Sequence, residues 1–460
     1  MSRLNPTDVF PILKRHLLVD GFDMVVDLRK SQGHYLYDTL NNRKYLDLFG
    51  FFATAPVSHN HPELNNAAFR EKIGQVALFK PSNSDFYTIP MAEFVETFSR
   101  VAIPKYLPHL FFISGGALAV ENALKAAMDW KVKKNFAAGE KAVKGHKIIH
   151  FFEAFHGRSG YTLSMTNTAD PRKYQYYAMF EWPRIINPKL SFPVTEKVLE
   201  AAKKVEVEAV AQIKKAFKEN PRDVAAIVIE PIQCEGGDNH FRKEFLQQLR
   251  ALADENEALL IFDEVQTGVG ITGQMWCHQH FEVKPDVMAF GKKTQICGVL
   301  AGPRLDEIQD NVFTEPSRIN STWGGSLVDM VRFQKFLEII EKEKLVENAR
   351  KQGAYFLGEL QKLQKEFPEA VSNARGLGLL IAFDLPSTED RSEFLKICLD
   401  NGLIVLSCGH YSIRVRPALD IGRDQIDEAM EIFRKSLKTL QDRRAQRQKQ
   451  TATEEAKYEI

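Results

Sequence analysis

Apolar positions fall into two patterns that alternate through the middle of the chain. Short continuous apolar runs occur at 110–113, 147–152, 225–229 and 258–262. Between them lie stretches in which apolar residues return every three or four positions, from Ala117 to about Lys134 and from Phe241 to Glu255. The runs predict strands buried on both faces, and the periodic stretches predict helices with one apolar side. Strands alternating with helices in this way predict βαβ units, and so an α/β domain on a mainly parallel sheet.

The two ends read differently. Strand candidates at 33–37 and 44–48 flank an Asn41-Asn42 turn. A single long helical stretch from Leu327 to Phe367 leads to a C-terminal α+β unit with strand candidates at 379–383, 403–406 and 411–415. The expected division is an N-terminal part of a small domain at 1–58, a large domain at 59–330, and the C-terminal small domain at 331–445. Residues 446–460 form a polar tail, charged and without an apolar face, which predicts a frayed helix end or disorder.

Composition excludes several classes. The chain has 460 residues, 44% of them hydrophobic, which is enough for a sizeable core and too many for a disordered protein. Its 61 Lys and Arg against 60 Asp and Glu leave a formal charge of +1. That balance gives no electrostatic footprint for nucleic acid or an anionic membrane, so neither partner is expected. Five sparse cysteines without a CxxC pair point to reduced thiols. The start, MSRLNPTDVFPILKRHLL, has no apolar run of signal length, and a cytoplasmic protein is expected. The His59-Asn60-His61 turn has no Cys or carboxylate at ligand spacing, so no metal is expected.

Four segments could carry chemistry, and each has a bland alternative. In FFISGGALAVENALKAA a strand, a Ser114-Gly115-Gly116 turn and a helix start would offer free N–H groups to a phosphate, though a plain strand-to-helix turn has the same form. It lacks both the P-loop Lys-Ser/Thr and the GxGxxG of a dinucleotide site. In ALLIFDEVQTGVGITG, Asp263 and Glu264 end a buried strand, where open α/β sheets place ligands; a solvated strand end would look alike. In KPDVMAFGKKTQICG, Lys292 follows another strand and could form a Schiff base if desolvated, while Lys293 beside it represents the ordinary surface lysine. In FEAFHGRSGYT, Phe155 could stack on a planar cofactor or simply pack beneath a loop.

A phosphate cradle, a stacking aromatic, a strand-end Asp and a later lysine occur here in that order. Together they resemble the fold-type-I pyridoxal-phosphate enzymes, and within them the class III aminotransferases. The resemblance runs from about HYLYDTLNNRKYLDLFG to about RVRPALD, and IEPIQCEGGDNHF, DEVQTGVGITG, FGKKTQICG and INSTWGG each carry it. GGALAVENALKAA and FGKKTQICGVLAG look most like the lysine 6-aminotransferase branch. Many class III members instead have a Gly-Ser/Thr-Glu-Ala turn and a glycine-rich segment after the lysine, which moves the reading away from ornithine and 4-aminobutyrate enzymes.

The resemblance implies a large domain that binds pyridoxal 5'-phosphate, held covalently by Lys292, which then serves as base and acid. It implies Asp263 at the ring nitrogen, Gly116 and Ala117 at the phosphate, Phe155 on the ring and Gln266 near its phenolic oxygen. Thr322, in INSTWGG with Asn320 and Ser321, would reach a neighbouring subunit's site, making the active site a property of a homodimer. Asn320 and Ser321 are taken as substrate-binding. Arg414 resembles the arginine that grips an α-carboxylate bidentately. Glu235 would neutralise Arg414 when an amine is bound, and Arg158 would take the far carboxylate of lysine. The implied reaction moves the ε-amino group of L-lysine to 2-oxoglutarate. Another ω-amine donor such as ornithine or 4-aminobutyrate, or a non-transferring enzyme such as an aminomutase, stays open. A non-catalytic binding protein would have no need of Lys292 and Asp263 together.

Overall fold

The computed structural model describes the backbone of residues 4–458 and side chains through Arg447; the last two positions of the tail, 459–460, lie outside the described residues. A seven-stranded sheet forms its centre, in the order His109–Ile113, Cys297–Ala301, Val287–Phe290, Leu259–Asp263, Val224–Ile229, Lys147–Phe151, Arg184–Ile185. Cys297–Ala301 is antiparallel to both of its neighbours, and the remaining strands run parallel.

The continuous apolar runs arise because alternate residues feed two different cores. Leu259 and Ile261 pack with Ala119, Ala123 and Trp130 of the helix Gly116–Ala137. Leu260 and Phe262 face the other way, into the core that holds Phe245 and Leu249 of the helix Lys243–Glu255. The same second core receives the helix Ile89–Val101, whose Phe94 and Phe98 lie 6.0 and 5.4 Å from Phe333 between ring centres.

The chain termini build the smaller α+β unit together. Tyr35–Asp38 and Arg43–Asp47 pair antiparallel, and the C-terminal strand Leu403–Ile404 joins them in parallel, with Leu403 opposite Leu46. A four-stranded sheet carries Leu380–Asp384 and Ser412–Val415 side by side. The long helix expected from 327 to 367 is in fact two, Leu327–Lys342 and Leu345–Glu366. Lys344 between them adopts a left-handed conformation at φ 54°, a break that no Gly or Pro announces. The final helix spans Arg423–Tyr458 and runs through most of the segment expected as a polar tail. Among the described residues no helix is long and apolar enough to cross a membrane.

Candidate active site

Five parallel strands deliver side chains to one place from their carboxyl ends, where an open α/β sheet presents its ligand crevice. Gly116 opens the helix after His109–Ile113, and Phe155 and His156 follow Lys147–Phe151. Glu230 follows Val224–Ile229, Asp263 ends Leu259–Asp263, and Lys292 comes two residues after Val287–Phe290. They line a cavity of about 300 Å³ with Ala117, Gly157, Arg158, Val265 and Gln266.

At one wall, Oδ2 of Asp263 lies 2.8 Å from Nδ1 of His156, and Oδ1 accepts the N–H of Val265 at 3.0 Å. Burial alone would push the imidazole down, but the hydrogen bond and charge of Asp263 outweigh it and hold His156 above its ordinary value. Glu230 accepts the N–H groups of Phe155 and Cys234 at 3.0 and 3.1 Å, and burial pushes its carboxyl up to about 7. Sequence reasoning missed both His156 and Glu230 as members of the site. His156 stood beside Phe155 in a motif already singled out, and Glu230 stood in IEPIQCEGG, but their nearness to Asp263 exists only in three dimensions.

Lys292 begins a short 3₁₀ turn, Lys292–Thr294, with φ at 55°, an uncommon backbone state for a side-chain-bearing residue and one that functional sites favour. Burial first, then the charge of Arg414, push its amine down to about 8. A fraction of the amine is therefore neutral and nucleophilic near neutral pH. Lys293, expected as an ordinary surface lysine, is instead 2% exposed, and its ammonium donates to the carbonyl of Ala53 at 2.8 Å. It ties the Lys292–Thr294 turn to the N-terminal segment.

Arg414 sits on the strand Ser412–Val415 and is 2% exposed. Its Nη2 donates to Oε2 of Glu235 at 2.5 Å and its Nη1 to Oε1 of Gln266 at 3.2 Å. Gln266 also accepts from Nε of Arg416 at 3.3 Å, and Arg416 in turn holds the buried carboxylate of Asp238. The second oxygen of Glu235, Oε1, accepts from Lys173 at 2.6 Å, a partner that nothing in the sequence pattern suggested. Burial would raise the Glu235 carboxyl, but Arg414 and Lys173 together hold it below its ordinary value.

Arg158 is exposed at the cavity wall and makes no ion pair among the described residues. Asn320, Ser321 and Thr322 are not brought to the cavity within one chain. The carbonyls of Ser321 and Thr322 accept instead from Ser84 and Ser82. Glu264, next to Asp263, turns away and is consumed by His278, Cys277 and Thr267. Among the described residues no group of three or more His, Cys, Asp or Glu is arranged to hold a metal; His59 pairs instead with Asp47 at 2.9 Å.

The residues fit a planar cofactor with an anionic end, a basic ring nitrogen and a carbonyl. Gly115 at φ 112° opens a cradle with no atom within 4 Å of its missing Cβ, just ahead of a helix start. At Gly157, φ 139°, a Cβ would come 2.6 Å from that of Ala117, so only glycine lets this loop close over the helix start. Asp263 brings a buried carboxylate and Lys292 a partly neutral amine to the same cavity, groups whose chemistry suits a protonated ring nitrogen and a carbonyl. These features define a pyridoxal-phosphate-dependent enzyme of fold type I.

The family model for class-III aminotransferases matches residues 19–437, and the chain belongs to this family, whose members use pyridoxal phosphate. It is 50% identical to an L-lysine-epsilon aminotransferase of Mycobacterium tuberculosis over 94% of this chain and 96% of that protein. It is 46% identical to the L-lysine-epsilon aminotransferase of Streptomyces clavuligerus over 95% of each chain. The solved lysine aminotransferase from M. tuberculosis in the internal aldimine form superposes with a TM-score of 0.93 at 49% identity, over 95% of this chain and 100% of that one.

Proposed function

We propose that the protein transfers the ε-amino group of L-lysine to 2-oxoglutarate. The products are 2-aminoadipate 6-semialdehyde, which cyclises to piperideine-6-carboxylate, and L-glutamate. The observation that carries this reading is the part-buried Glu235–Arg414 pair beside the cavity, at 2.5 Å. An enzyme that takes a terminal amine in one half-reaction and an α-keto acid in the other must present a carboxylate-binding cation in only one of them. Glu235 covers Arg414 while lysine reacts, since a bare guanidinium would repel the amine. Arg414 is uncovered when the α-carboxylate of 2-oxoglutarate arrives and can be gripped bidentately. Likeness to the L-lysine-epsilon aminotransferases supports lysine as the donor.

Bound pyridoxal phosphate supplies an electrophilic carbonyl and a ring that accepts the electron pair released at the reacting carbon. The chain does the rest. Lys292, its amine depressed by burial, removes the proton from the reacting carbon and returns one at the adjacent position. Asp263, supported by His156, keeps a proton on the ring nitrogen. Gly116 and Ala117 would offer N–H groups to the phosphate, Phe155 would cover the ring, and Gln266 would face its phenolic oxygen. Arg158 takes the far carboxylate of lysine. Asn320 and Ser321, outside the cavity of their own chain, contact substrate in the neighbouring subunit's site.

The working form is a homodimer in which Thr322 reaches the phosphate site of the partner. Two features support it. The 320–322 segment lies outside the cavity of its own chain, and beside it Leu78, Phe79, Phe86, Tyr87 and Ile89 are each at least 67% exposed, an apolar patch typical of an interface between subunits. The five cysteines are all unpaired and buried, which supports a reducing cytoplasmic setting. The chain divides into a small domain from 1–58 and 331–445, a large domain at 59–330 and a tail at 446–460. Initial rates with lysine, ornithine and 4-aminobutyrate, with glutamate and aldehyde both quantified, test the donor. A larger kcat/KM for either competitor would refute lysine.

A further inference from the structure

The carboxylate of Glu235 is shared between two cations, Arg414 at 2.5 Å and Lys173 at 2.6 Å, one to each oxygen. Arg414 has a role in the reaction as proposed; Lys173 has none there. Lys173 ends the short helical turn Pro171–Lys173 and carries no other ion pair among the described residues.

The backbone of Glu235 is pinned. Its carbonyl accepts the N–H of Gly409 at 2.9 Å, and Gly236 next to it packs so tightly that a Cβ there would fall 2.0 Å from the carbonyl oxygen of Glu153. Glu235 can therefore leave Arg414 only by rotating its side chain. A second, polar cavity of about 340 Å³ is lined by Glu235, Lys173, Arg391 and His410, with Asp170 at its wall already paired to Arg172. Nη1 of Arg391 goes to the carbonyls of Gly409 and His410 and its Nε has no partner, so the cavity carries positive charge that no carboxylate has taken. The side chain of Glu235 is only 23% exposed, and a carboxylate released there without a cation would be costly.

We infer that Lys173 is a positioning residue that retains the Glu235 carboxylate when Arg414 takes the carboxylate of the acceptor, so that Lys173 sets how readily the site passes from amine donor to keto-acid acceptor. The inference rests on the transamination reading above. Lys173 and the cavity behind it form the resting place of the displaced carboxylate. Arg414 thus exchanges one carboxylate for another, and Glu235 never loses its charge partner.

The test uses the holoenzyme with the two half-reactions measured separately by rapid mixing. Lys173→Met should raise the apparent KM for 2-oxoglutarate about tenfold or more, the scale of losing one partner of a part-buried charge pair. The lysine half-reaction should change far less, because Glu235 still covers Arg414 there. Lys173→Arg should restore the acceptor KM to within about threefold, which a packing defect would not allow. In a Glu235→Gln background the same Lys173→Met change should have no further effect on the acceptor. Equal slowing of both half-reactions, or an undiminished effect in the Glu235→Gln background, overturns the inference. If the unmodified enzyme exchanges amine between lysine and 2-oxoglutarate but Lys173→Met leaves the acceptor KM unchanged, this inference alone fails. If the unmodified enzyme makes no such exchange, the transamination reading fails and takes this inference with it.

Discussion

Nδ1 of His156 lies 2.8 Å from Oδ2 of Asp263, across 107 residues of sequence, and joins the loop after one central strand to the end of another. The contact has a thermodynamic consequence. Asp263 holds the imidazole above its ordinary 6.5 against the opposing effect of burial. A histidine whose value is raised in the folded protein contributes stability that is complete below its unfolded value and fades as pH rises through the folded one.

Asp263→Asn should therefore cost the apoenzyme more stability near pH 6 than at a pH well above neutral, because the charge on His156 that Asp263 stabilises is lost as pH rises through the raised folded value. Denaturant unfolding at the two pH values measures this. An equal loss at both would mean that His156 does not change its charge between them, contrary to this expectation.

Lys292 gives a kinetic counterpart. With its amine depressed to about 8 by burial and by Arg414, the neutral form needed to attack a carbonyl should fall about tenfold per pH unit below that point and level off above it. Recombination of apoenzyme with pyridoxal phosphate, followed by absorbance, should show this profile. A break near 10.5 would place Lys292 in an ordinary aqueous setting. Lys292→Ala should remove the covalent cofactor band and lower turnover at least about a hundredfold.

Arg414→Ala and Glu235→Gln should separate the two half-reactions in opposite senses. Loss of the guanidinium should raise the KM for 2-oxoglutarate by about thirtyfold, corresponding to about 2 kcal/mol for a charge-assisted pair, with a smaller effect on lysine. Loss of the Glu235 charge should instead weaken lysine more than 2-oxoglutarate. Identical losses in both half-reactions for either variant would reject the exchange of partners at Arg414.

Shared sites can be tested by mixing defects. Lys292→Ala and a bulky Thr322→Trp chain should each be nearly inactive alone. Coexpressed, random pairing makes about half of the dimers hybrid, each with one intact site, so about a quarter of wild-type activity should return. No recovery would mean that Thr322 serves the site of its own chain.

Much of the framework is legible in the sequence, for a definite reason. Strands covered on both faces read as unbroken apolar runs, so their carboxyl ends are visible, and Gly116, Asp263 and Lys292 all sit just at or after such ends. What stayed hidden depended on tertiary contact or on conformations that composition does not mark. The strand Cys297–Ala301 is interrupted by Gly298, where a side chain would strike the carbonyl of Phe111, and it does not stand out as a continuous apolar run. The helix break at Lys344 has no breaker residue. Lys293 looked like surface because its partner, the carbonyl of Ala53, lies 240 residues away. Lys173 precedes Glu235 by 62 residues on a loop with no motif, and only the fold brings its ammonium to that carboxylate.

The most direct test is a single turnover of holoenzyme with L-lysine alone. With no keto acid present, the cofactor absorbance should convert once and stop, with semialdehyde formed in an amount equal to the enzyme sites, and added 2-oxoglutarate should restore the spectrum while releasing an equal amount of glutamate. Turnover of lysine that continues without 2-oxoglutarate, or a cofactor spectrum that lysine leaves unchanged, would contradict the assignment.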